Sequence, residues 1–258
     1  MQNNTFSTLF VGQNLIRLSE VDSTNNFLKT KASNSEPLPE GTVIMADKQF
    51  AGRGQQQNTW YAEPGLNLTF SIYLCPSFLA VSQQFLLNMA VSVALRDALG
   101  DLLGPFLKVK WPNDLYYKNQ KLGGILIENI IAGTTYKACI IGIGLNVNQQ
   151  SFDPKLLGRA TSVWKILQQD VNLIELLSLI CSNVEAEYLK LKSGNVNKLQ
   201  SDYINGLYLF NEPALYRHNG QSFKGRIVNV SQNGLLTILS DAVEREFNFK
   251  EVEFLNNI

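Results

Sequence analysis

One lysine stands where its chemistry could be used. Lys121 follows the polar turn Tyr117-Lys118-Asn119-Gln120 and precedes Gly123-Gly124, where backbone can approach a ligand closely. The apolar run 125–131 that follows reads as a buried strand, and a second run, 138–147, reads as its neighbour with Gly142 and Gly144 in place of side chains. A cation on one strand and glycine-lined space on the next suit an elongated small molecule with an anionic end. Taken singly, a lysine in a turn is usually solvated, and glycines in strands usually mark bulges or close packing. A second basic, glycine-rich loop, Gln49-Phe50-Ala51-Gly52-Arg53-Gly54, adds weight; it continues through the polar run Gln55 to Thr59 and ends on Trp60. That loop is too polar for a core and reads as a lid anchored by the indole.

The elements that position these residues follow from pattern. Residues 14–21 alternate as a strand, and Asp22-Ser23-Thr24-Asn25 offers helix caps before a short helix. Hydroxyls and N–H groups at a helix start are ordinarily only caps, but they also make a polar cradle for an amide or ureido group. Strands are expected at 41–47, 66–74 and 107–111, and Leu86, Met89, Ala90, Val93 and Ala94 fall at helical spacing as a core stripe. Pro112 ends the third of these strands, and Asn113-Asp114 is expected to turn; Asp114 is either a plain turn former or a holder of nucleotide or Mg²⁺. Two helices are expected after Asn148, opened by Thr161 or Ser162 and by Asn172, and an amphipathic piece closes the main domain near Leu207. From there short strands alternate with polar turns, and His218-Asn219-Gly220 and Gln232-Asn233-Gly234 are hairpin signals. The expectation is an α+β chain with a mixed-sheet domain over 1–207 and a small SH3-like β-barrel over 208–258.

Composition removes several functions. Lys+Arg and Asp+Glu are 22 each in 258 residues, so no overall charge favours nucleic acid. His218 is the single histidine, so a histidine metal cluster is excluded and a conventional histidine-based triad is not expected. Cys75, Cys139 and Cys181 lie singly in apolar runs and read as reduced, buried thiols. The first residues lack a signal-peptide pattern, and no window has membrane-spanning length. A cytoplasmic protein with no membrane partner is expected.

Read in order, Asp22-Ser23-Thr24-Asn25, Gly52-Arg53-Gly54 with Trp60, Lys110-Trp111-Pro112-Asn113-Asp114, the 121–128 run KLGGILIE and the 142–148 run GIGLNVN resemble the motif set of biotin–protein ligases. The resemblance spans roughly residues 14 to 150. It implies activation of biotin by ATP, with Mg²⁺, to biotinyl-5′-adenylate, then transfer to one lysine of a biotin carboxyl carrier protein. It places Ser23, Thr24 and Asn25 at the biotin cradle, and Gln49, Arg53, Gly54 and Gln55 at biotin and adenylate contacts. Lys121 matches the active-site lysine, with Arg53 beside it in a catalytic role; Gly124 and Ile125 match the pocket floor, and Gly142 and Gly144 its opposite wall. Trp60, Trp111, Asn113 and Asp114 fall on the nucleotide side, and Asn146 near the phosphates; the motifs leave the metal ligands unassigned. Pairing by sheet edges is common in the family, so a homodimer is an expectation as well.

Two departures stand out. The cradle motif begins at Asp22, leaving no room for the DNA-binding domain of family members that act as repressors, so DNA binding is not expected. The lid carries Gln55, Gln56, Gln57, Asn58 and Thr59 where the family commonly has arginines and a glycine, so looser retention of the adenylate is expected. The rival readings are a lipoate or octanoate ligase of the same superfamily and a catalytically silent biotin-binding regulator. The polar cradle argues against the first and the presence of Lys121 against the second.

Overall fold

A computed structural model describes residues 6–33, 38–55, 58–133 and 135–255. Twelve strands and five α-helices are present among them: β1 Leu15–Val21, α1 Thr24–Ala32, β2 Val43–Gln49, β3 Leu68–Leu74, α2 Gln84–Leu103, β4 Leu107–Lys110, β5 Asp114–Tyr117, β6 Gln120–Ala132, β7 Thr135–Leu145, α3 Val163–Leu167, α4 Leu173–Lys192, α5 Val196–Asn205, β8 Ala214–His218, β9 Gln221–Val230, β10 Leu236–Ser240, β11 Val243–Phe247 and β12 Glu253–Phe254. The first seven strands form one sheet in the order β1-β2-β3-β7-β6-β5-β4, and the last five form a second in the order β11-β10-β9-β8-β12. β1 and β2 are parallel, as the helical crossover α1 between them allows, and the other pairs of the large sheet are antiparallel.

Strand alternation divides the large sheet's residues between two layers. Val43, Met45, Phe70, Ile72, Ile141 and Ile143 belong to the main core, together with buried α2 and α4 residues such as Leu86, Met89, Ala90, Val93, Ala94 and Ile180. Helix α2 is apolar around most of its circumference because it lies between the sheet and α4 with α5, and it stops at Gly104, where φ is 75°. On the other face α1 packs by Leu28 onto Ile44, Tyr73, Ala138 and Ile140. That face also carries one row in register from strand to strand: Lys110, Asp114, Gly124, Gly144 and Thr69.

One element differs from the sequence expectation. The turn expected at Asn113-Asp114 lies at 111–113, between the antiparallel β4 and β5, so Asn113 is in it while Asp114 already opens β5; the chain reverses again at Lys118, with φ 51°. Four residues are too short for alternation to declare a strand, and β5 forms because β4 and β6 pair on both its sides. The second sheet follows its turn signals: Asn219 and Gly220, at φ 48° and 78°, join β8 to β9. It abuts the large sheet at Trp111, whose Nε1 donates to the Gly234 carbonyl at 3.1 Å and whose ring meets Phe249 edge-on at 6.1 Å. Cys139 and Cys181 are buried free thiols, and burial pushes both pKa values up to about 12. Among the described residues no helix is long and apolar enough to cross a membrane.

The segment leading into β1 is fixed by one buried carboxylate. Glu185 of α4 accepts hydrogen bonds from the backbone N–H groups of Leu9, Phe10 and Val11 at 2.7, 2.8 and 3.0 Å. Replacing it strands the buried Val11 N–H and two partly buried donors, so Glu185→Ala is expected to lower the unfolding free energy by about 3 kcal/mol in urea melts. A loss below about 1 kcal/mol would show that the segment docks by apolar contact alone.

Candidate functional site

Ser23, Thr24, Asn25, Gln49, Arg53, Gly54, Gln55, Trp60, Trp111, Asn113, Asp114, Lys121, Gly124, Ile125, Gly142 and Gly144 all line one cavity of about 290 Å³. It lies over the face of the large sheet that α1 covers only in part. One predicted residue is elsewhere. Asn146 is buried beyond the end of β7, its side-chain amide donates to the Thr161 carbonyl at 3.0 Å, and its backbone bonds Leu122 and Val163; it is not among the cavity-lining residues, and its hydrogen bonds join loops.

The polar end is built on the start of α1. Ser23 occupies the N-cap position, yet its side chain makes no capping bond. The cap is supplied from β2, whose Gln49 Oε1 accepts from the Thr24 N–H at 2.8 Å and from the Thr24 hydroxyl at 3.1 Å. Ser71, fully buried on β3, donates toward Thr24 Oγ1 at 2.7 Å and Asn25 Oδ1 at 2.6 Å. Asn25 Nδ2 donates to Glu128 at 2.9 Å. A buried network with so many mutual bonds fixes rotamers and leaves an ordered set of donors and acceptors facing the cavity.

The other end is cationic. Lys121 Nζ is 2.6 Å from Asp114 Oδ1, and the lysine's backbone is pinned between Arg159 and Thr161. Asn113 clasps β6 at both polar groups of Ile125, donating from its side chain to the carbonyl and accepting the N–H on its own carbonyl at 3.1 Å. Lys110 also lines this end. Burial, reinforced by Lys121 and only partly offset by Asp114, pulls its pKa down to about 8.

The glycines are not simply empty space. A Cβ on Gly144 would stand 2.4 Å from the Trp60 indole, and one on Gly142 would stand 2.4 Å from Asn25 Oδ1. Both glycines are therefore required by side chains that cross the sheet, besides lining the cavity. A Cβ on Gly124 would meet Asp114 at 3.0 Å and the Lys121 ammonium at 3.4 Å. Ile125 lines the cavity wall, but its side chain belongs to the main core, as alternation from Gly124 requires. Arg53 is not a free lid cation, because its guanidinium is held by Asn26 at 2.8 Å and Glu128 at 3.1 Å. The lid's Gln56 and Gln57 lie outside the described residues. Trp60 Nε1 is buried with no partner, an open donor at the wall.

Sequence reasoning passed over Ser71, Glu128, Lys110 and Phe249. Ser71 and Glu128 tie the network from β3 and β6, and Phe249 reaches the cavity from the second sheet. Lys110 and Glu128 carried a signal, as the first residue of the Lys110–Asp114 motif and the last of the 121–128 run; Ser71 and Phe249 carried none.

The Biotin/lipoate A/B protein ligase family profile matches residues 18–146. Over 158 residues the chain is 35% identical to a bifunctional ligase/repressor of Bacillus spizizenii, covering 60% of this chain and 48% of that protein. It is 36% identical over 135 residues to a biotin–[acetyl-CoA-carboxylase] ligase of Paracoccus denitrificans, covering 50% of this chain and 53% of that one. The chain thus spans about half the length of the curated relatives it matches. A biotin protein ligase from Aquifex aeolicus, solved in complex with biotin and ATP, superposes with a TM-score of 0.78 at 27% identity, covering 94% of this chain and 98% of that one. The mixed sheet with helices, followed by an SH3-like C-terminal sheet, is the fold of that structure.

Glu128 gives the site a measurable pH signature. Burial raises its pKa, but hydrogen bonds from Lys29 and Asn25 and the charge of Arg53 outweigh that and hold the carboxyl below its ordinary 4.5. A depressed carboxyl stabilises the fold fully above the unfolded value and loses that contribution as pH falls through the folded one. Glu128→Gln is expected to lower the unfolding free energy at pH 7 by only about 1 kcal/mol, since both cations are partly exposed. The gap from wild type should narrow as the pH is lowered from 7 to below the ordinary 4.5 in matched urea melts. A gap of equal size at both ends of that range would rule out the ion pairs as its source.

Proposed function

Because the chain belongs to the Biotin/lipoate A/B protein ligase family, we propose that it activates biotin with ATP and passes the biotinyl group to a lysine of a biotin carboxyl carrier protein. The observation that carries this reading is the division of one cavity into a hydrogen-bonded end at Thr24, Asn25 and Gln49 and a cationic end at Lys121. A ureido group presents two donors and one acceptor, which suit the first end, and a carboxylate suits the second. A lipoyl or octanoyl group has nothing to satisfy the polar end, and leaving buried polar groups unpaired discriminates strongly against it.

The reaction brings two anions together. A carboxylate oxygen of biotin attacks the α-phosphorus of ATP, the bond to the bridging oxygen breaks, and pyrophosphate leaves with the electron pair. Lys121 stabilises the charge that accumulates as the two approach, and Asp114 holds the ammonium in place until they do. The carrier lysine then attacks the acyl carbonyl and AMP leaves, so no protein nucleophile is needed and the lack of a usable histidine is no obstacle. Trp60, Trp111 and Phe249 offer aromatic surface for the base at the same cavity.

Mg²⁺ is commonly held by one or two carboxylates together with the substrate's phosphates. Asp114 is the one carboxylate among the described lining residues, and no cluster of three acidic, cysteine or histidine side chains suited to a metal occurs among the described residues. Asp114 is therefore the residue to hold a metal brought in by the nucleotide, and the ion's chemistry is neutralisation of phosphate charge.

Biotin-dependent release of pyrophosphate from ATP, with label arriving on a carrier lysine, tests the reading; release that octanoate supports and biotin does not would replace it. Lys121→Ala is expected to slow biotin-dependent pyrophosphate release at least thirtyfold, about 2 kcal/mol of transition-state stabilisation, in a protein that still melts cooperatively. Release near the wild-type rate would remove Lys121 from the adenylation step.

A further inference from the structure

Three cations line the described part of the cavity, and they are not in the same state. Arg53 is held by Glu128 at 3.1 Å, and Lys121 by Asp114 at 2.6 Å. Lys110 is paired with no carboxylate among the described residues. Its Nζ lies 4.7 Å from the centroid of the Tyr116 ring and 5.2 Å from that of Phe254, with the Tyr116 hydroxyl at 3.4 Å. Two aromatic faces hold an ammonium in position without cancelling its charge. Partial burial makes that charge unfavourable until an anion arrives.

Position decides which anion. Lys110, Asp114, Gly124 and Gly144 are register partners in one row across β4, β5, β6 and β7. The row runs from the Trp60-covered wall at Gly144, past the Lys121–Asp114 pair over Gly124, and out to Lys110 at the sheet's edge. Under the reaction proposed above, on which this inference rests, attack on the α-phosphorus is in line, so attacking and leaving oxygens lie on opposite sides of it. With the carboxylate entering from the polar end, the leaving oxygen faces outward along the row. We infer that Lys110 binds the leaving pyrophosphate, contacting the two terminal phosphates of ATP before the bond breaks and the pyrophosphate oxygens after it. The electron pair of the broken bond then comes to rest beside a cation that no protein carboxylate has already neutralised. Phe254, from the last strand of the second sheet, is a positioning residue for that cation.

The test uses the full chain and inorganic pyrophosphate as the probe. Lys110→Met keeps the apolar stem and removes the charge, and Lys110→Arg restores it. The inhibition constant of pyrophosphate against adenylate formation is expected to rise at least tenfold in the first variant and to return within about threefold of wild type in the second, while the biotin dissociation constant stays within twofold in both. An unchanged pyrophosphate constant in Lys110→Met overturns the inference. A second measurement needs no variant: wild-type protein is labelled with acetic anhydride and the Lys110 peptide is followed by mass spectrometry. Pyrophosphate should suppress labelling of Lys110 and biotin should not; labelling indifferent to pyrophosphate overturns the inference even where the variants do not fold. Protection by pyrophosphate in a protein that does not bind biotin would sink the proposed function and leave the anion site standing. Biotin activation with Lys110 indifferent to pyrophosphate would do the reverse.

Discussion

Three glycines with no Cβ on the open face of the large sheet set the terms for everything built there. Side chains normally stand about perpendicular to a sheet and hold other groups away from its backbone. At Gly124, Gly142 and Gly144 that spacing is missing, so Asn25, the Trp60 indole and the Lys121–Asp114 pair lie down on the strands themselves. The Thr24–Asn25–Ser71–Gln49 network depends on it, since Ser71 reaches the Asn25 amide only because that amide sits in the gap over Gly142. The lid depends on it too, because Trp60 has no comparable seat if residue 144 carries a side chain.

A second constraint is electrostatic. A cavity meant for anions needs cations, and unpaired cations in a half-buried cleft repel one another and resist desolvation. Here Asp114 and Glu128 act as internal counterions that hold Lys121 and Arg53 in fixed geometry. An incoming carboxylate or phosphate then competes with a protein carboxylate for an ammonium already in place, and little reorganisation remains for the moment of reaction. Lys110 is treated differently, with aromatic rings in place of a carboxylate, which suits a group whose partner arrives with the substrate.

Much of this was legible in the sequence because it rests on local pattern. The Gly142 and Gly144 pair, the cap residues of α1 and the Asn219-Gly220 turn each announce themselves within a few residues. What escaped depends on contacts between distant segments. Ser71 sits in the strand Leu68–Leu74, all of whose residues are buried, where a serine reads only as an interruption; its role appears once α1 is seen to lie over it. Glu128 looks like a solvated residue near the middle of a long strand until Lys29, Asn25 and Arg53 converge on it. Phe249 lies more than a hundred residues from the nearest motif, and only the docking of the second sheet on Trp111 brings it to the cavity. The family resemblance placed Asn146 near the phosphates, whereas its side chain points to the loop at Thr161.

The central claim is that a biotin carboxylate oxygen attacks the α-phosphorus of ATP beside Lys121. Isotope transfer reads that bond directly. Biotin labelled with ¹⁸O in its carboxylate is turned over by the full chain with ATP and a carrier domain, and the phosphorus products are examined by mass spectrometry. Attack at the α-phosphorus leaves one ¹⁸O atom in the AMP and none in the pyrophosphate, because the acyl–oxygen bond is the one cut when the carrier amine forms its amide. Label appearing in pyrophosphate or inorganic phosphate, or amide formation with no label in AMP, would contradict it.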